Sequence, residues 1–202
     1  GSAANNKAGS NPLRILKNIE NIRKTSKIAD ITIVMYHGGN EYNPLPSPRV
    51  VELCRAFAEA GAGAVIAGHT HCPQGIEIYK EIPIVYSMGN FLFDSNAEYS
   101  GYNWNYGYMA KLGFSGKCVA EIEIIPVNYS QTENYIRVLS GTELDEFIKY
   151  MEYISEIILR EEEIKAYFDA WCIRGIKGYF SALGKEFYPT DWRSEEHTSE
   201  LQ

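Results

Sequence analysis

The chain has 202 residues, 45% apolar and 22% charged, enough for one domain with a real core or a domain plus an appendage. Its net charge is −7 and its Lys and Arg residues form no cluster, which argues against a nucleic-acid surface. No apolar run approaches the ~20 residues that span a bilayer, and the Gly/Ser/Asn/Ala-rich N-terminus lacks the apolar stretch of a signal peptide.

Residues 1–10 read as a flexible lead-in. Asn11-Pro12 then gives a cap followed by Pro at the first helical position, and Ile15, Ile19 and Ile22 recur at helical spacing up to Lys24. Ile31–Tyr36 is a β-branched apolar run that stops at His37-Gly38-Gly39, as expected of a strand buried on both faces of a parallel sheet. After a polar, Pro-rich loop, Ser47-Pro48 repeats the cap signal. Val50, Leu53, Cys54 and Phe57 mark a helix face, and Gly61 sits where a C-terminal Gly is expected.

Ala64–Ala67 is a second buried strand, ending at Gly68-His69-Thr70-His71. Strand, helix and strand in this order form a βαβ unit with parallel strands. Ile76–Tyr79 and Ile84–Tyr86 are short strands around Pro83. Tyr108–Phe114 and Val119–Pro126 flank Ser115-Gly116-Lys117 as an antiparallel hairpin. In its second arm Ala120, Ile122 and Ile124 alternate with Glu121 and Glu123, so one face is solvated. From Gly141 the pattern turns helical: Leu144, Phe147, Ile148, Met151, Ile154 and Ile158 make one stripe, continued by Ile164, Tyr167, Phe168 and Trp171. The polar, aperiodic residues 193–202 resemble a non-native tail and are set aside.

Three of the four histidines fall at two strand ends. Parallel strands present their C-terminal ends along one edge, so the βαβ unit brings His37 close to His69 and His71. Neutral imidazole is a common ligand for divalent transition metals; loop histidines without metal are the plainer alternative. Glu41, four residues after His37, could orient an imidazole or act as an acid/base, or be a solvated loop carboxylate. Cys72 beside His71 reads as structural, with a thiolate nucleophile or an extra ligand as the alternative. The stretch Tyr99, Tyr102, Trp104, Tyr106 and Tyr108 reads as amphipathic rings closing a sheet edge, with a sugar-stacking surface as the alternative. Cys54, Cys72, Cys118 and Cys172 are scattered without C-x-x-C. Free thiols in a reducing compartment are the simpler reading, with a disulfide as the alternative, and this leans weakly toward the cytoplasm unless a leader or anchor lies upstream.

H-G-G-N-E-Y at 37–42, G-H-T-H at 68–71, Q-G-I-E at 74–77 and Y-S-M-G-N-F-L-F-D at 86–94 together resemble the CapA (poly-gamma-glutamate capsule-synthesis) proteins of the calcineurin-like metallophosphoesterase superfamily. The resemblance implies that His37, His69 and His71 ligate a pair of divalent metal ions (Mn, Zn or Fe). It also implies that Glu77 and Asn90 line the substrate cleft, though for Asn90, which follows Gly89, a turn is the favoured reading. Gly38 departs from the family's Trp at that position. The family's upstream Asp-x-His, Gly-Asp and Asn-His-Asp/Glu motifs are not found in residues 1–30.

The expected fold is therefore the C-terminal part of a metallophosphoesterase-like α/β sandwich: residues 11–127 with a parallel βαβ unit and an antiparallel hairpin, and residues 128–192 as a helical C-terminal extension. The expected function is metal-dependent phosphoester hydrolysis in capsule or exopolysaccharide synthesis, on an anionic or polymer-precursor small molecule, with this chain alone inactive. A non-catalytic component of a polymer-synthesis machine is the alternative.

Overall fold

The computed structural model describes residues 3, 6–93, 104–130, 133 and 135–183, the side chains of 176–183 excepted. Asp94, Tyr99, Tyr102 and the tail 193–202 lie outside these residues. Residues 19–168 make one compact unit, and of the described residues 3, 6–18 and 169–183 fall in the other.

Helix α1 spans Ile15–Thr25 and begins later than Asn11-Pro12 predicts. The Arg14 amide, one of the donors a helix start leaves orphaned, donates to Asn18 Oδ1 at 2.6 Å, so the capping oxygen comes from inside the helix rather than from Asn11. Arg23 and Lys24 in the last turn face the negative end of the helix dipole. Helix α2, Pro48–Glu59, starts as predicted: Ser47 Oγ accepts from the Val50 amide at 3.4 Å, with Pro48 in the first turn. Its face of Val50, Val51, Leu53, Cys54, Phe57 and Ala58 is buried.

The first sheet holds β1 (Ile33–His37), β2 (Ala64–Gly68), β3 (Ile76–Tyr79) and β4 (Ile82–Val85), in the order β1-β2-β4-β3. β1, β2 and β4 run parallel, and β3 returns antiparallel on β4 through Lys80-Glu81. Both turn residues have positive φ (49° and 69°), the requirement of a two-residue turn matching strand twist. β2 is buried along its length, as expected. β1 is not: Ile33 is 41% and Met35 73% exposed. The expectation of burial on both faces fails on one of them: Ile33, Met35 and His37 share an exposed face, while Val34 and Tyr36 on the other are half-buried. The second sheet adjoins β4, where the Tyr108 amide donates to the Met88 carbonyl at 2.9 Å.

That second sheet is an antiparallel meander of β5 (Tyr106–Ser115), β6 (Cys118–Ser130) and β7 (Tyr135–Val138). Glu121 and Glu123 are exposed while Ile122 and Ile124 pack on the core, as the alternation predicts. β7 is an addition the sequence reading lacks, and the expected boundary at 127/128 falls inside β6. Helix α3, Gly141–Ile158, buries Phe147, Met151, Ile154 and Ile158; α4, Glu161–Leu183, follows after a break at Leu159-Arg160. α3 covers the free edge of β3. Ser155 Oγ accepts from the Ile76 amide at 2.9 Å, and a Cβ on Gly75 would lie 2.8 Å from Ser155 Cα, so the two backbones can meet only at glycine. The fold is α/β, with parallel strands, an antiparallel meander and C-terminal helices.

Candidate functional site

The pairing of β1 with β2 sets His37 opposite Gly68, and the Gly38 amide donates to the Gly68 carbonyl at 2.9 Å. Register thus brings residue 37 and residues 68–71 to one point of the sheet edge. The loops beyond are tied together: the Tyr42 amide donates to the Thr70 carbonyl at 2.9 Å, and Gln74 Nε2 donates to the Asn43 carbonyl at 2.7 Å. Asn43, which the sequence reading passed over, is buried and also receives the Leu45 amide on its side chain.

The three imidazoles come together. His37 and His69 ring centroids lie 4.9 Å apart, those of His69 and His71 6.1 Å. His37 Nε2 faces His69 Nδ1 at 3.2 Å. Burial, and then the neighbouring His69 and His71, hold the His37 pKa below its ordinary value, favouring the neutral ring. His69 (φ 116°) and His71 (φ 57°) both occupy the left-handed half of conformational space, as does Tyr42 (φ 58°). Such backbone strain in non-glycine residues gathers at functional sites.

Glu41 joins the cluster. Its Oε1 stands 3.9 Å from His69 Nε2 and 4.0 Å from His71 Nε2, beyond direct hydrogen bonding but suited to something held between them. His71 is walled by Phe93 (4.6 Å), Trp104 (5.3 Å) and Tyr42 (6.5 Å, stacked). Asn90, expected in the cleft or at a turn, is buried beside this ring, its Oδ1 2.8 Å from His71 Nδ1. Cys72 is fully buried, and burial pushes its thiol up to about 12, so it is no thiolate nucleophile.

Glu77 does not reach this edge. It pairs with Ile84 midway along the sheet, below the strand ends, and its carboxylate is buried against α2. Arg55 Nη2 donates to it at 2.8 Å and Tyr86 Oη at 2.7 Å. Glu77 is thus a structural ion-pair residue rather than a cleft residue. Gly38, where the resembling family carries Trp, lies under the Tyr36 ring; a Cβ there would come within 2.5 Å of Tyr36 Oη, so a large residue would need that ring displaced.

Two nitrogens bound to one ion at ~2.0–2.1 Å stand about 3.3–3.4 Å apart in tetrahedral geometry. The 3.2 Å separation of His37 Nε2 and His69 Nδ1 matches two positions of such a shell. Among the described residues no group of three His, Cys, Asp or Glu side chains is arranged to hold an ion alone. The donor set therefore fits part of a coordination shell.

Converging imidazoles and a carboxylate at the C-terminal edge of a parallel strand pair define an α/β protein with a candidate metal-binding edge. Residues 2–95 match the family described as "Bacterial capsule synthesis protein PGA_cap". Over 85 residues the chain is 41% identical to "Capsule biosynthesis protein CapA" of Bacillus anthracis, covering 42% of this chain and 21% of that protein. Over 73 residues it is 42% identical to "PGA biosynthesis protein CapA" of Bacillus subtilis (strain 168), covering 36% and 19%. An uncharacterized protein, y4sH, of Sinorhizobium fredii is 37% identical over 78 residues, covering 38% and 17%. The matched segment resembles the CapA capsule-synthesis proteins. The chain spans about a fifth of the length of the curated relatives it matches.

Proposed function

We propose that this segment supplies half of a metal-dependent, phosphoesterase-type hydrolytic site in a capsule-synthesis protein, acting on an anionic or polymer-precursor small molecule. The observation that carries the reading is the 3.2 Å spacing of His37 Nε2 and His69 Nδ1 at a strand-end edge that also holds His71 and Glu41. In this reading His37 and His69 hold one divalent ion and His71 contributes to a second. Bound divalent ions polarise a phosphoryl oxygen and lower the pKa of bound water. With such ions bound, Glu41, which faces both Nε2 atoms, would orient the rings or serve as the proton acceptor of the site. Phe93 and Trp104 wall the His71 side against solvent.

A non-catalytic assembly role is the second reading, favoured by the lack of any three-ligand group among the described residues. Calorimetric titration of the chain with Mn or Zn tests the first. Weak binding that disappears in His37→Ala and His69→Ala, with negligible turnover of a chromogenic phosphodiester, is the expected result. Binding unchanged by both substitutions would remove the metal reading. Tight binding with turnover would show that these residues form a complete site and overturn the half-site part of the proposal.

A further inference from the structure

We propose that Asn90 is a positioning residue that locks His71 in the Nδ1–H tautomer and leaves its Nε2 lone pair aimed at the Glu41 side of the cluster. As a statement about metal ligation this rests on the function proposed above; as a statement about the imidazole it does not.

The argument starts from the amide, which is buried. Its nitrogen lies 3.1 Å from the Trp104 carbonyl oxygen and 3.4 Å from that of His71. Both are pure acceptors, so the NH2 group must face them. Flipping the amide would set its oxygen against two carbonyl oxygens. The third neighbour of the nitrogen, Tyr129 Oη at 3.4 Å, can accept as well. With the nitrogen so fixed, Oδ1 must be the atom 2.8 Å from His71 Nδ1, and an amide oxygen only accepts. Nδ1 therefore carries the proton. In a neutral ring the other nitrogen, Nε2, is then the bare one, and it faces Glu41 Oε1 at 4.0 Å.

The surroundings hold this arrangement. Phe93 and Trp104 flank the ring at 4.6 and 5.3 Å and resist its turning over. Asn90 is itself clamped: Gly89 adopts φ +70°, Gly89 bridges Gly107, and a Cβ on Gly107 would collide with the Asn90 carbonyl oxygen. One side chain thereby joins chain segments at 71, 104 and 129, more than a simple turn residue requires. Partners of this kind orient metal-ligating histidines, and their loss typically weakens metal binding by roughly 10–100-fold.

Long-range 1H–15N correlation spectra of the metal-free protein, at about pH 8 where an ordinary imidazole is neutral, read the tautomer directly. His71 should show a protonated Nδ1 and a bare Nε2. In Asn90→Leu, with backbone amide dispersion confirming the fold, the protonated-Nδ1 signature should give way to Nε2–H or a mixture, and Mn or Zn affinity should fall roughly 10–100-fold. An Nε2–H tautomer in the unsubstituted protein overturns the proposal, and this arm stands even if the variant does not fold. A folded Asn90→Leu that keeps Nδ1–H overturns it too. If the unsubstituted protein binds no metal, the proposed function fails while the tautomer result still decides the role of Asn90.

Discussion

Replacing Arg55 with Ala tests the ion pair that fastens α2 to β3 and β4. The Glu77 side chain is 3% exposed, and Arg55 donates to it through Nη2 at 2.8 Å and through Nε at 3.1 and 3.2 Å. Burial alone would lower the Arg55 pKa, but the Glu77 carboxylate outweighs it and the net shift is upward. Arg55→Ala leaves a buried carboxylate with Tyr86 as its remaining side-chain donor. Removing one partner of a buried pair costs about 3–5 kcal/mol. The lost stacking of the guanidinium over Tyr79, 5.2 Å from the ring centre, contributes about 0.5–1 kcal/mol of this. Glu77→Gln should cost less, about 1.5–3 kcal/mol. It leaves no orphaned carboxylate, and Arg55, whose side chain is 30% exposed, can turn to water. Urea unfolding followed by tryptophan fluorescence, with unchanged m-values, should rank Arg55→Ala as the less stable of the two. Replacing both residues by Met should restore part of the loss. Equal costs, or a reversed order, would refute the view that Glu77 is held by charge pairing in a dry site.

Two further outcomes follow from packing. Gly75→Ala should destabilise the protein by about 1–3 kcal/mol in the same assay, because its Cβ would meet Ser155 Cα and Ile158 Cδ1 at 2.8 Å; an unchanged midpoint would mean that α3 does not seat on Gly75. With a chromogenic disulfide reagent at about pH 8, exposed Cys118 should react at once. Cys54 and Cys72, whose thiols burial pushes up to about 12, should react only as urea unfolds the chain; rapid labelling of all three in the native protein would contradict this core.

The βαβ unit was legible because its signals are local. Ser47-Pro48 caps α2, apolar runs mark β1 and β2, and each run stops at His or Gly-His. Strand pairing then leaves little choice about where His37, His69 and His71 meet. What was not legible depends on partners distant in sequence. Ile33 and Met35 look like core residues, yet their burial depends on what packs on their face of β1. Glu77 carries a cleft residue's motif but meets Arg55, 22 positions earlier. Asn90 has the chemistry of a turn residue, and its side-chain partners lie at 71, 104 and 129. β7 is four residues long with little alternation of its own, and it exists because β6 offers it an edge.

The positive φ angles of His69 and His71 have a consequence for design. An L-residue in that region costs of order 1–3 kcal/mol, a cost glycine escapes. A chain optimised for thermal tolerance alone would therefore drift to Gly at 69; at 71 the lost Asn90 hydrogen bond and the lost packing on Phe93 and Trp104 oppose the same change. His69→Gly should melt higher than His69→Ala, although both lose the same imidazole. Thermostabilised versions of this sequence chosen without regard to activity are thus prone to discard His69 first, and libraries built on it should hold position 69 fixed.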